Sequence, residues 1–403
     1  MPWKETDAMD LRTEFAKRAM REDLPFAVLC REYGISTKTG YKWKQRFIEQ
    51  GVSGLADRSR RPHHSPNRVS ALEVCDILRI KHDHEYWGPK KVHEVYAKNH
   101  PDSRHISLNT VKRLLDRAGL VEKRPRRRRA EHCGRISMPV TASQPNDVWT
   151  VDFKGHWYTA DRQRVLPLTT CDACTRFVLM AQIVPDAGTQ TVMQCFIRLF
   201  EQHGLPKVIR SDNGAPFAST SAPLGLSRLS AWWVSLGINL DRIEKGKPYQ
   251  NGSHERMHRE IALEVEGRVQ GNIAHQQAAL DAWRHSYNHE RPHEGIGNMR
   301  PAQLYRDSDR KYVPEQQQVE YPLGYLTRKA NKAGCIKLYN RLLSVSVAVS
   351  GMTLGLEHLR KGNFNVWFGI LNLGSLDLNT EKFTSTGGRV YALNEDHHAI
   401  SSN

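Results

Sequence analysis

Three acidic residues stand in settings where a carboxylate needs a partner. Asp152 lies inside the strand-like run Val148-Trp149-Thr150-Val151-Asp152-Phe153, where a charge costs free energy unless it binds something. Asp212 follows a second short strand, in Arg210-Ser211-Asp212-Asn213-Gly214, and ligand sites of α/β folds gather at the carboxyl ends of strands. Glu255 stands early on a helical stretch, just after Gln250-Asn251-Gly252. Taken singly, each of these acids is more often a surface or capping residue. Together they offer hard oxygen donors of the kind that Mg²⁺ prefers. The chemistry such a set suits is phosphodiester transfer, in which two divalent ions about 3.5–4 Å apart stabilise the attacking and leaving oxygens. Without cations the three charges repel and raise one another's pKa values, a conflict that bound metal resolves.

The surrounding elements are of the right kind to hold them. Val148 to Tyr158, Val165 to Cys171 and Arg176 to Val184 are rich in valine, threonine and aromatic residues and predict an antiparallel meander. An amphipathic helix over Thr189 to His203 leads to the short strand Lys207-Val208-Ile209-Arg210, so strand and helix alternate around Asp212. A helix at Leu226 to Leu236, a strand at Asn239 to Ile243 and a long helical segment from Asn251 past Val265 follow, with another helix from Ala274 to Tyr287.

At this point the sequence resembles the DDE transposases of bacterial insertion sequences and the retroviral integrases. The residues that carry the resemblance are Trp149-Thr150-Val151-Asp152, Ser211-Asp212-Asn213-Gly214 and Lys247-Pro248-Tyr249-Gln250-Asn251-Gly252-Ser253-His254-Glu255-Arg256. Tyr287-Asn288-His289-Glu290-Arg291-Pro292-His293 resembles the block that follows the catalytic helix in the insertion-sequence branch. The resemblance implies an RNase H-like catalytic domain, a triad of Asp152, Asp212 and Glu255, and two Mg²⁺ or Mn²⁺ ions held by those three residues. The gap of 42 residues between Asp212 and Glu255 is longer than is usual in those relatives, and Ser219 to Leu226 reads as an extra loop, since loops lengthen cheaply. Asp241 and Glu244 stand nearer the usual distance but lack the Gln-Asn-Gly lead and the helix. Arg256 and Arg259 share the helix of Glu255 and are candidate phosphate contacts, with a solvated helix face as the alternative. His254 is a candidate for orienting a ligand or for simple packing.

The rest of the chain points to DNA. The net charge is +16, and residues 1–135 hold 30 Lys and Arg against 18 Asp and Glu, so most of the excess sits in the first third. Such self-repulsion suits a polyanionic partner. Residues from Asp10 to Gln50 predict three helices with Gly34 at the tight turn and Ser36 or Thr37 as a cap, which is helix-turn-helix spacing; Leu11, Phe15, Ala19, Phe26, Leu29, Cys30, Tyr41, Trp43, Phe47 and Ile48 form the expected apolar face. The third helix offers Lys38, Lys42, Lys44 and Arg46 to a major groove. Arg58, Arg60 and Arg61 belong to an extended basic linker that also holds His63 and His64. A second helix-turn-helix spans Ser70 to Glu122, with Leu72 and Ile77 among its expected core residues and with Lys112 and Arg113 toward solvent. Arg126, Arg127, Arg128 and Arg129 lie in a run too charged to pack internally.

The expected fold is therefore multidomain: N-terminal all-α helix-turn-helix modules, a central α/β RNase H-like catalytic domain and a C-terminal small β-barrel. The boundaries read as 1–56 for the first module, 57–69 for a linker, 70–122 for the second module and 123–144 for a second linker. The catalytic domain then covers 145–308, the small β-barrel 309–376 and a flexible tail 377–403. Cys171 and Cys174 form a CxxC without a second pair at zinc spacing and read as small residues of a strand and turn. The odd count of seven cysteines, the absence of a long apolar run and the acidic residues near Met1 predict a protein of the cytoplasm, without a membrane partner. The expected partners are double-stranded DNA, both the terminal inverted repeats of an element and a target, and further copies of the chain on that DNA. The alternatives are a DNA-binding regulator with an inactive RNase H-like domain and a hydrolytic nuclease of the same fold.

Overall fold

The computed structural model describes residues 7–59, 68–101, 105–121, 140–220, 222–243, 251–314, 319–360, 362–380, 382–386 and 390–392. The chain divides into two compact units, 1–70 and 71–403. The first is built from α1 (Ala8–Arg21), α2 (Phe26–Glu32) and α3 (Thr37–Gln50). Phe15, Ala16, Ala19, Leu29, Cys30, Trp43 and Leu55 are its buried residues. Ser36 caps α3, its hydroxyl accepting the Thr39 N–H at 3.2 Å. Gly40 is required where helices cross, because a Cβ there would stand 3.1 Å from the rings of Phe15 and Phe26 and collide with the Cys30 sulfur. Leu11, Tyr41 and Ile48, expected on the apolar face, are instead exposed. Their spacing fits the helical period, but three short helices enclose too small a core to cover every apolar position.

The second unit opens with α4 (Ala71–Asp83), α5 (Pro89–Asn99) and α6 (Leu108–Arg117). Ile77, Val92, Tyr96, Val111 and Leu115 are buried within it, whereas Leu72 is exposed. The Ser107 hydroxyl accepts the Thr110 N–H at 3.3 Å and so caps α6 as expected.

The central domain follows as β1 (Val148–Phe153), β2 (Trp157–Tyr158), β3 (Arg164–Val165), β4 (Pro167–Asp172), β5 (Val178–Ile183), α7 (Thr189–His203), β6 (Val208–Ser211), α8 (Arg228–Ser235) and β7 (Asn239–Arg242). It continues with α9 (Gly252–Ile261), α10 (Ile273–His289) and the short α11 (Pro301–Leu304). The five-stranded sheet has the order β5-β4-β1-β6-β7, antiparallel from β5 to β1 and parallel from β1 to β7. Because side chains alternate along a strand, Trp149, Val151 and Leu168 face a core shared with Phe196, Phe200 and Trp233. Thr150, Asp152 and Thr169 therefore face the opposite side, which α9 and α10 cover with Met257, Ile261, Leu280 and Trp283. The extra loop is closed at its base by an antiparallel bridge between Ala218 and Leu226, which is why it lengthens the chain without disturbing the sheet.

The C-terminal region holds β8 (Leu326–Lys329), β9 (Cys335–Leu338), β10 (Arg341–Ser344), β11 (Thr353–Arg360), β12 (Asn363–Phe368), β13 (Leu371–Asp377), β14 (Lys382–Ser385) and β15 (Val390–Ala392). The strands are present, but among the described residues they form no closed barrel. Six of them form a sheet in the order β15-β14-β13-β12-β11-β8, with β9 and β10 as a separate hairpin, and among the described residues the sheet does not close. The physical reason is that its apolar face has another cover. Leu354, Leu356, Phe364, Val366 and Phe383 pack in one core with Ile336, Leu338 and Leu343 of the β9–β10 hairpin and with Leu226, Ala231 and Val234, the last two from α8 of the central domain. Strand alternation reveals that one face is apolar and not what will bury it. β14 and β15 lie in the segment read as a flexible tail; polar residues between short strands hide the alternation there. No helix among the described residues is long and apolar enough to cross a membrane.

Candidate active site

β1 and β6 are paired with a constant offset of 60, from Val148 with Val208 to Thr150 with Arg210. Two residues further along, the same offset sets Asp212 level with Asp152. Neighbouring strands lie about 4.8 Å apart, so the first two acids leave the sheet side by side at the carboxyl end of β6. Glu255 comes from the first turn of α9, which crosses the same face. Asp152 is half-buried, whereas Asp212 and Glu255 are exposed.

The electrostatics follow from that placement. Burial, then the charge of Asp212 and to a lesser degree that of Glu255, raises the Asp152 carboxyl from 3.8 to about 7, against the opposing Phe153 N–H. No Lys or Arg among the described residues is ion-paired with any of the three acids. Asp212 Oδ1 accepts the Gly214 N–H at 3.1 Å, the turn for which Asn213-Gly214 was suited. Among the described residues no three Asp, Glu, His or Cys side chains already converge on a point that could hold a metal ion. Asp212 and Glu255 are near enough to Asp152 for their charges to raise its carboxyl, without forming a closed cage. The three carboxylates nonetheless fit divalent ions: all donors are hard oxygens, two of the three residues are exposed, and the half-buried Asp152, whose ionised form has no Lys or Arg partner, would gain one in a cation.

Helix α9 is held to the sheet by polar contacts. His254 is 1% exposed, with Nδ1 2.7 Å from the Thr150 hydroxyl and Nε2 2.8 Å from the Thr169 hydroxyl. Burial, then neighbouring His258, holds its pKa well below the usual imidazole range, so it is neutral. His258 Nε2 is also 2.7 Å from the Thr169 hydroxyl, and burial followed by the charge of Lys154 lowers this imidazole to about 4. His258 Nδ1 and Asp152 Oδ2 are 3.7 Å apart, too far for a hydrogen bond, and His258 is neutral near pH 7, so the contact is not an ion pair. His254 is thus a packed, hydrogen-bonded histidine. Thr169 and His258 carry no distinctive sequence context; the one signal was the spacing of four that puts His254 and His258 on one face of the helix.

The block Tyr287 to His293 braces the same region. Asn288 accepts the Val178 N–H at 2.9 Å and donates to the Val178 carbonyl at 3.0 Å, tying α10 to edge strand β5 beside a bulge. Arg291, buried, pairs with Glu260 at 2.6 Å and Glu264 at 2.8 Å, fixing α9 and the π-helical turn that follows it.

Two family models described as integrase core domain match residues 142–248 and 236–301, a span that contains all three acids. Over residues 142–301 the chain is similar to integrase core domains. Ahead of this span, a helix-turn-helix domain model matches residues 11–63 and a homeodomain-like domain model matches residues 39–115. The chain is 27% identical over 267 residues to an uncharacterized 31.7 kDa protein of insertion element IS407 from Burkholderia multivorans, covering 65% of this chain and 91% of that one. It is 28% identical over 264 residues to an uncharacterized 39.2 kDa protein of insertion element IS476 from Xanthomonas euvesicatoria, covering 64% of this chain and 72% of that one. Among solved structures, the catalytic core domain of BIV integrase is similar at 23% identity, covering 40% of this chain and 93% of that one with a TM-score of 0.31.

The basic residues expected to meet DNA are distributed unevenly. On α3, Lys38 and Lys42 are exposed, and Lys42 and Arg46 flank the Trp43 ring at 4.6 and 5.1 Å. Lys44 turns back to Glu22 at 3.3 Å. Arg58 donates to Gln50 at 3.3 Å. Lys112 and Arg113 are exposed on α6, and Arg256 and Arg259 are exposed on α9 of the central domain. Arg60, Arg61, His63, His64 and Arg126 to Arg129 lie outside the described residues, as do Glu244 and Lys247 to Gln250.

Proposed function

We propose that this chain is a transposase that binds the ends of an insertion element and cuts and rejoins DNA at Asp152, Asp212 and Glu255. The observation that supports the reading is the Asp152 carboxyl on β1, raised by burial and then by the charges of Asp212 and Glu255, with no described Lys or Arg ion-paired to any of the three. The three carboxylates would hold two Mg²⁺ or Mn²⁺ ions, which when bound polarise the scissile phosphate and lower the pKa of the attacking hydroxyl. The chain's own residues hold Asp152 and the Glu255 helix in register through Thr150, Thr169 and His254, and keep the floor of the site dry with Met257 and Ile261. Arg256 and Arg259, exposed beside Glu255, receive the phosphate backbone.

Recognition belongs to the helical modules. Lys38, Lys42 and Arg46 on α3 and Lys112 and Arg113 on α6 supply the cations, whereas Lys44, engaged by Glu22, contributes packing. An element has two ends that must be joined to one target, so the active species on DNA is at least a dimer. The test is a cleavage and strand-transfer assay on the DNA ends that flank the gene, with Mg²⁺ and with EDTA. Loss of reaction in EDTA and in Asp152→Asn, with DNA binding retained, supports the reading; metal-independent turnover, or DNA bound without any reaction, overturns it.

A further inference from the structure

The hydroxyl of Thr169 occupies a position that no feature of the acids themselves explains. Thr169 is fully buried on β4, directly opposite Asp152 in the antiparallel β1–β4 pair. Its single hydroxyl meets three groups: the Asp152 carbonyl at 3.0 Å, His254 Nε2 at 2.8 Å and His258 Nε2 at 2.7 Å. A carbonyl only accepts, so the one hydroxyl proton goes to Asp152, and the two oxygen lone pairs must receive N–H groups from both histidines. That fixes both imidazoles as their Nε2-protonated forms. His254 Nδ1 is then an acceptor, and the Thr150 hydroxyl at 2.7 Å is the donor that satisfies it in preference to the Cys171 carbonyl at 3.2 Å. Every polar atom of the His254 ring is thereby used, and two adjacent strands grip one turn of α9.

We propose that Thr169 is the positioning residue of the catalytic centre: through one hydroxyl it ties the main chain of Asp152 to the helix that carries Glu255, and so sets the distance between two of the three carboxylates. The proposal rests on the metal-dependent transferase reading above. His254 immediately precedes Glu255 and His258 lies one turn beyond it, so a slip of α9 along the sheet moves the Glu255 carboxylate by a comparable amount. Carboxylates that must share divalent ions tolerate little of that. Residues that orient metal ligands by hydrogen bonds typically cost about 10–100-fold in metal affinity or activity when removed.

The test uses the full chain with three substitutions. Thr169→Val keeps the shape and removes the hydroxyl, Thr169→Ser keeps the hydroxyl, and Thr150→Val releases only His254 Nδ1. Mn²⁺ affinity is read directly by electron paramagnetic resonance titration, alongside melting temperature, affinity for element-end DNA, and kcat and KM for strand transfer. Thr169→Val is expected to weaken Mn²⁺ binding and lower kcat by about 10-fold or more, with KM and DNA affinity unchanged; Thr169→Ser restores both to within about 3-fold. Thr150→Val gives a smaller loss of the same kind and carries the test if Thr169→Val does not fold. A folded Thr169→Val, or in its absence a folded Thr150→Val, with wild-type Mn²⁺ affinity and kcat overturns the positioning role while leaving the metal reading intact. A wild-type protein that binds no Mn²⁺ overturns the metal reading itself, and the positioning role with it.

Discussion

Replacing Asp152 with Asn should stabilise the metal-free protein at neutral pH, although it removes the residue on which the proposed chemistry depends. The Asp152 carboxyl rises from 3.8 to about 7 on folding, first through burial and then through Asp212 and Glu255. One pKa unit corresponds to about 1.4 kcal/mol, so a rise of about 3 units sets an upper bound of roughly 4 kcal/mol on the cost of ionising this group in the folded state. The side chain keeps 29% of its exposure, so relaxation and water bring the expected figure nearer about 2 kcal/mol. The sign follows from the raised value: the protonated form's contribution is complete below 3.8 and is lost as pH climbs through 7. Asn cannot ionise and loses nothing over that window. In EDTA, thermal unfolding of the central domain should therefore be similar for the two proteins near pH 4, with the variant gaining progressively up to pH 7 and holding its advantage above. Millimolar Mg²⁺ should stabilise the wild type at pH 8 far more than the variant. A difference between the two that does not change between pH 4 and 8, or a wild type that is the more stable at pH 8 in EDTA, refutes the electrostatic reasoning.

Other expected outcomes follow from single contacts. Asn288→Ala leaves the buried Val178 N–H and carbonyl without their partner on α10 and should cost about 2–3 kcal/mol, read by denaturant unfolding. Arg291→Met strands Glu260 on α9 and Glu264 just after it, and breaking a buried pair of this kind costs about 3–5 kcal/mol; a melting temperature equal to wild type would show that the two glutamates reach solvent. Lys38→Ala should weaken binding to element ends and reduce the slope of log affinity against log salt by about 1, whereas Lys44→Ala, already paired with Glu22, should leave that slope unchanged.

The three acids could be singled out from the sequence because each carries its own local signal: a charge inside a strand, an Asp-Asn-Gly turn at a strand end and a Gln-Asn-Gly lead into a helix. The helix-turn-helix modules were legible for the same reason, since Gly34, Ser36 and Ser107 act on residues three or four places away. Thr169 was not, because the groups it joins are 17, 85 and 89 residues distant in sequence and come together only when β1, β4 and α9 stack. The open C-terminal sheet escaped for a related reason. Alternation along β11 and β12 marks an apolar face, but not that Ile336, Leu338 and Leu343 of a separate hairpin share its cover with Ala231 and Val234 of α8. Lys44 also shows what charge alone does not reveal: helical spacing places it among groove-facing cations, and the fold brings Glu22 of a neighbouring segment within 3.3 Å of it.

The most direct test of the central claim is strand transfer by the full-length protein on DNA carrying the element's ends, comparing wild type with Asp152→Asn, Asp212→Asn and Glu255→Gln in Mg²⁺. Each variant should bind the ends as the wild type does and lose joined product by at least about 1,000-fold, since each removes an interaction that the transition state needs. Joined product at near wild-type rates from any one of the three would take that residue out of the active site and contradict the account.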